Sequence, residues 1–291
     1  MAVTDQDQEA PSYLIHRSFI EMRARERARA ILDPGTFREL LGPFDRLKSP
    51  WLPRQGVVAQ ADDGVVVARG TLDGRRAATV MIESAFQGGS IGEVSGAKVA
   101  GTLELAYNSW ENGRPTIVVL GLESGGVRLQ EANLGLAAIA EIHAGIIALR
   151  AHVPVIGVIS GTVGCFGGMS LAAALCTCLV VTREARLGMN GPEVIEQQAG
   201  LAELDAADRL LIWRLIGGEQ RYSIGLADVL VEDDADAIAA AVRAASIHSP
   251  GKSPAPSTQV IRFLQRLKCI NPAEPPDAAT LRALWSRETE P

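Results

Sequence analysis

Gly121-Leu122-Glu123-Ser124-Gly125-Gly126-Val127-Arg128-Leu129-Gln130-Glu131 decides how the rest of the chain reads. It follows Thr116-Ile117-Val118-Val119-Leu120, a β-branched run between Pro115 and Gly121 that reads as a buried strand. It precedes Asn133 to Arg150, rich in Ala, Leu and Ile, which reads as a buried helix. The glycines therefore sit where a strand turns into a helix. Gly125 and Gly126 have no Cβ, so a ligand can come close to their backbone N–H groups. The positive end of the following helix favours an anion there. A plain tight turn uses the same residues.

From Pro115 onward the pattern is strand, helix, strand, helix. Val153 to Ile159 reads as a second buried strand, and Gly161-Thr162-Val163-Gly164-Cys165-Phe166-Gly167-Gly168 follows it. A small-residue helix is expected from Met169 to Leu175, then a third strand from Thr177 to Thr182. Arg186 to Gly191 makes a further turn, and Pro192 opens a helix at the position where its missing N–H costs nothing. Such alternation implies a mainly parallel sheet with right-handed crossovers. Parallel neighbours would bring Ser124-Gly125-Gly126 beside Gly164 to Gly168. Each turn could then give one N–H to a single oxygen, the arrangement that holds an oxyanion.

Outward from this centre the reading is simpler. Glu21 to Leu32 reads as a charged helix with a solvated arginine face, or a docking surface for an acidic partner. Asp33-Pro34-Gly35 stops it, and Thr36 is expected to cap a second short helix over Phe37 to Leu41. Ser49 to Arg54 reads as a linker. Val57 to Ser84 reads as antiparallel strands around the hairpin signal Asp73-Gly74. Ser90 is a candidate cap for a helix running to Trp110, with Lys98 on its surface. Later come a helix to Ile216, a short strand Val229 to Val231 and an Ala-rich helix from Asp236 to Ala245. His248 to Ser257 reads as a linker before two short amphipathic helices that could pack on a partner. The expected organisation is a helical extension over 1–50, a main domain over 51–247, and a linker with C-terminal helices over 248–291.

Composition narrows the function. With 291 residues and 47% apolar content, the chain can bury a large core. A net charge of -6 argues against a nucleic-acid partner. Met1 to Ser12 is polar and acidic with no apolar h-region, and no spanning segment is read. The expectation is therefore a cytoplasmic protein without a membrane partner. Cys165, Cys176, Cys178 and Cys269 lack zinc-ligand spacing and read as reduced packing residues, with Cys176 and Cys178 on one strand face and no metal. No P-loop, His-Glu-x-x-His or Gly-x-Ser-x-Gly elbow is present. His143 and His152 read as structural. Glu123, Glu131 and Glu193 are the carboxylates nearest the glycine turns, and Glu131 could serve only to orient Arg128. The strong signal is backbone donors.

Gly88-Gly89-Ser90-Ile91-Gly92, the Glu123 to Glu131 stretch and Gly191-Pro192-Glu193-Val194-Ile195-Glu196-Gln197 together resemble the carboxyltransferase branch of the crotonase superfamily. Order and spacing agree from about Ile31 to Gln197, more than half of the chain. Within the branch the chain resembles the family of biotin-independent malonate decarboxylase β subunits. Acetyl-CoA carboxylase β subunits carry a four-cysteine zinc ribbon ahead of this domain, whereas no cysteine precedes Cys165 here. Their counterpart of Gly164 to Gly168 also differs.

The resemblance implies an α/β crotonase (ClpP/crotonase) fold of stacked ββα units with flanking helices. It implies a malonyl thioester carried on the phosphoribosyl-dephospho-CoA arm of an acyl carrier protein, with no cofactor bound by this chain and no biotin. It further implies a γ subunit of related fold, an α (transferase) subunit and an active site between β and γ. Loss of CO₂ would leave an enolate oxygen for one donor from Gly125 or Gly126 and one from Gly167 or Gly168. Gly88, Gly89, Ser90, Ser124, Arg128, Gly164, Gly191 and Pro192 would line the substrate. A β-carbon at Gly126 or Gly168 would intrude on the oxygen's approach. A biotin-dependent carboxyltransferase and a non-catalytic scaffold are the competing readings.

Overall fold

The computed structural model describes residues 16–161, 163–247, 260–271, 273–274 and 276–285. The expected linker from His248 to Ser257 and the polar N-terminus to Ser12 lie outside the described residues. One seven-stranded sheet runs in chain order: β1 (Arg38–Leu40), β2 (Val65–Leu72), β3 (Arg75–Ile82), β4 (Ile117–Gly121), β5 (Val155–Ile159), β6 (Cys178–Thr182) and β7 (Val229–Val231). β1 to β3 pair antiparallel and β3 to β7 parallel. Asp73 (φ 49°) and Gly74 (φ 75°) turn the β2–β3 hairpin, the left-handed pair that a two-residue hairpin turn requires.

β4 and β5 are buried along their whole length, because helices cover both faces. Val118, Leu120, Val155 and Ile159 face α2 (Glu93–Glu111), α3 (Asn133–Arg150) and α4 (Gly168–Leu175). Val119, Ile156, Val158 and Val180 face α1 (Ala24–Ile31) and α8 (Ala235–Ser246). Between α4 and α8 lie α5 (Pro192–Ala199), α6 (Arg209–Ile216) and α7 (Gly218–Ser223). α9 (Val260–Leu267) and α10 (Ala278–Trp285) close the described chain.

Several expectations are corrected. The segment after Pro34 is strand β1, since Arg38 to Leu40 finds an open edge on β2. The arginine face of α1 is not simply solvated. Buried Arg27 donates to the carbonyls of Phe19 (3.0 Å) and Ile20 (2.7 Å), and Arg25 clamps Glu39 and Asp62. Lys98 is buried, with its ammonium on the carbonyl oxygens of Asp62 and Val65, and burial lowers its pKa against the pull of nearby carboxylates. Cys176 joins the core under α4 while Cys178 packs on the opposite one, because Cys176 precedes the strand. α3 forms with its expected limits, yet only a third of it is buried although its length and composition would suit a membrane span.

Asp33 ties the end of α1 to the hairpin. Its carboxylate accepts from the Asp73 and Gly74 amides and from Thr71 Oγ1. The Gly74 amide, then Thr71, Asp73 and Arg243, hold its pKa down at about 2. A lowered carboxyl pKa stabilises the fold above the ordinary range and loses that contribution as pH falls from about 4 toward the folded value. Urea midpoints across that window should fall more steeply for the native chain than for Asp33→Asn. Equal slopes would show that this tie adds nothing.

Candidate active site

A second, thinner β layer lies over the strand ends, reduced to single-residue bridges. Ile91 bridges Val127, Ser124 bridges Cys165, and Cys165 bridges Leu187. The strands β3, β4, β5 and β6 are thus each followed by a short rung and then by a helix. This is the stacked ββα plan, with the second β element reduced to a rung.

The rungs bring the glycine turns together. Gly125 N–H donates to Gly88 O (2.9 Å), Ile91 N–H to Gly126 O (2.8 Å) and Arg128 N–H to Ile91 O (2.9 Å). On the other side, Ser124 N–H donates to Gly164 O (2.7 Å) and Phe166 N–H to Ser124 O (2.9 Å). Gly167 N–H donates to Met189 O (2.8 Å), just ahead of Gly191 and Pro192 at the start of α5. A Cβ on Gly126 would lie 3.5 Å from Gly167 Cα, so the two turns are in contact. Gly126 (φ 106°) and Gly167 (φ 59°) hold backbone conformations that side chains rarely adopt.

The same bonds decide which amides remain for a ligand. Those of Gly125 and Gly167 are spent within the fold, and that of Gly126 donates to Ser124 Oγ (3.1 Å). Among the described residues, the amides of Val127, Gly168 and Met169 donate to no protein group. Gly168 and Met169 open α4, where the first amides have no intrahelical acceptor. Of the expected alternatives, Gly125 or Gly126 and Gly167 or Gly168, the amide of Gly168 is the one without a protein acceptor. Val127 was not among the expected donors, because its side chain carries no signal for its amide.

Gly168 is also reinterpreted. A Cβ there would lie 2.6 Å from Ile139 Cγ2 of α3, so its bareness makes room for a core side chain. Gly89 serves a similar need, since a Cβ on it would lie 2.0 Å from Glu123 O. The expectation that Ser90 caps α2 is corrected too. Gly92 is the N-cap, its N–H donating to Ser95 Oγ (2.8 Å), while Ser90 O accepts from Arg128 (3.0 Å).

Arg128, expected among the substrate-lining residues, turns into the fold instead. It is fully buried, with Nη1 2.9 Å from Asp63 and 2.9 Å from Glu131. Glu131 also accepts from Ser49 Oγ (2.7 Å) and from the Glu93 amide opening α2 (2.7 Å). Burial alone would raise the Glu131 pKa, but hydrogen bonds from Ser49, Glu93 and Arg128 hold it lowered. Its carboxylate occupies the space a Cβ on Gly92 would fill. Ser49, read as a linker residue, is an internal partner of this group. Glu123 accepts from the amides of Ser160 (2.7 Å), Gly161 (2.9 Å) and Gly164 (3.1 Å), fixing the turn that leads to Gly167. Glu193 is exposed on α5. The two buried carboxylates are thus framework, and the mouth of the site is formed by exposed Gly88, Gly125, Leu129 and Met189.

The carboxyl transferase domain family model matches residues 21–289. A Pseudomonas malonate decarboxylase, solved as a hetero-tetramer in complex with malonate, contains a chain 59% identical to this one. The match covers 94% of this chain and 99% of that one with a TM-score of 0.92. The malonyl-S-ACP:biotin-protein carboxyltransferase MADC of Malonomonas rubra is 45% identical over 75% of this chain and 71% of its own length. The transcarboxylase 12S structure with methylmalonyl-coenzyme A is 31% identical over 78% of this chain and 41% of that chain, with a TM-score of 0.66.

Two outcomes test this geometry. Gly168→Ala should cost about 1–3 kcal/mol by overpacking against Ile139, and should cost less in an Ile139→Ala background. Equal costs in both backgrounds would remove that contact as the cause. Arg128→Met should cost about 3–5 kcal/mol, because it leaves two buried carboxylates without their counter-charge. A near-native urea midpoint would contradict the network's role.

Proposed function

The chain belongs to the carboxyl transferase domain family, among its malonate decarboxylase members, and on that premise we propose that it is the β subunit acting on a malonyl thioester without biotin. The observation that carries this reading is the pair of uncommitted amides, Val127 and Gly168, on adjoining strand-to-helix turns. Breaking the bond between the α-carbon and the carboxylate releases CO₂ and leaves its electron pair on the α-carbon. The thioester carbonyl takes up that pair as an enolate oxygen. Two fixed N–H donors stabilise this oxygen, and the dipole of α4 adds to the one from Gly168. Loss of one such donor typically costs ~10²–10³ in rate. A proton delivered to the α-carbon then gives the acetyl thioester.

The wider assembly follows the same reading. The substrate arrives on the phosphoribosyl-dephospho-CoA arm of an acyl carrier protein, loaded by an α subunit, in the cytoplasm. A γ subunit of related fold supplies the other wall of the site. The outward face of α3 favours such a partner, since Leu136 and Ile147 are each 55% exposed. Leu171 of α4 continues that apolar face. The Pseudomonas decarboxylase relatives are hetero-oligomers. Biotin dependence is the competing reading, favoured by the name of the M. rubra relative.

CO₂ release from a malonyl thioester on its carrier protein tests both points. The isolated chain should be inactive, and addition of the second subunit should restore turnover that avidin leaves unchanged. Full turnover by the isolated chain would refute the shared site. Strong inhibition by avidin would move the protein to the biotin-dependent carboxyltransferases.

A further inference from the structure

His143 reads from the sequence as a core histidine, but the structure gives it a specific contact. It is half-buried on α3, and its Nε2 lies 2.7 Å from the carbonyl oxygen of Gly168. A carbonyl oxygen only accepts, so Nε2 carries the hydrogen and donates. Four residues earlier on the same helix face, Ile139 fills the space beside Gly168 Cα. α3 thus grips the first residue of α4 at two points, one apolar and one polar.

The carbonyl of Gly168 shares its peptide plane with the N–H of Met169. A hydrogen bond accepted at that oxygen polarises the N–H of the same plane and fixes its direction. Gly168 and Met169 are the two amides of α4 that donate to no protein group among the described residues. We infer that His143 is a positioning residue for the oxyanion site: through the carbonyl of Gly168 it polarises the Met169 amide and anchors the first residue of α4, which fixes the direction of the Gly168 amide. The inference rests on the decarboxylase reading, because it assigns His143 a task within that site. His143 itself touches no reacting atom.

The experiment uses the chain assembled with its partner subunit and an acetyl thioester on the carrier protein, ¹³C-labelled at the carbonyl. Infrared difference spectra read how strongly the site pulls on that carbonyl, and CO₂ release from the malonyl thioester gives kcat and KM. In the native assembly the carbonyl stretch should shift to lower frequency than in free solution. His143→Leu should reduce that shift and lower kcat about tenfold with KM little changed. His143→Gln places an N–H donor near the position of Nε2 and should restore most of both. A native carbonyl stretch that does not shift would defeat the oxyanion reading and the His143 role with it. A native shift that persists in His143→Leu, with unchanged kcat, would overturn the His143 role alone. If the leucine variant loses melting temperature and rate in step and glutamine restores neither, His143 is only a packing contact.

Discussion

The buried ion group of Arg128 with Asp63 and Glu131 is the constraint on which the site depends. Arg128 leaves the glycine turn as the chain heads for α3. Asp63 precedes β2, and Glu131 takes the Glu93 amide at the start of α2. One guanidinium therefore locks three segments that are far apart in sequence. An isolated charge in such a place would be untenable, and the group survives because each carboxylate oxygen also finds a hydrogen bond. Its value is geometric. With Arg128 held, the rung from Gly125 to Arg128 cannot slide along the rung from Gly88 to Ile91.

Parallel packing then does the rest. The strand-to-helix turns satisfy part of their amides on the neighbouring rung, as Gly125 does on Gly88 and Gly167 on Met189, while that of Val127 is left over. A helix start leaves its first amides without an acceptor, and the neighbouring rung here does not reach those of Gly168 and Met169. Uncommitted amides on adjoining turns are thus a by-product of the repeat. In the proposed mechanism they meet the thioester enolate, because that oxygen asks for N–H donors and for no titrating side chain.

The strands and α3 to α5 were legible because their signals are local. β-branched runs between turn residues gave β4 and β5, and Pro192 marked the start of α5. Phe37 to Leu41 misled because a three-residue edge strand is made by its partner β2 and not by its own propensity. Lys98, Arg27 and Arg128 misled for a related reason. A charged side chain reads as exposed until the fold shows which carbonyls and carboxylates surround it. Asp63 gave no signal, and His143 read as structural without its partner, since the groups they meet lie 65 and 25 residues away in sequence.

The glycines carry a further lesson about reading sites from letters. The sequence placed Gly125, Gly126, Gly167 and Gly168 correctly at two touching turns, yet it assigned one reason to all four. Gly126 and Gly167 are glycine because their φ angles are positive. Gly168 is glycine because Ile139 lies against it. None of these reasons is contact with a substrate, and three of the four amides are used by the fold itself, those of Gly125, Gly126 and Gly167. The proposed donor function falls instead to amides that the hydrogen-bond pattern leaves over. One of these is Val127, whose side chain gives no hint of it. Backbone chemistry is specified by the pairing of neighbours, so a motif can mark the place of such a site without naming the atoms that act in it.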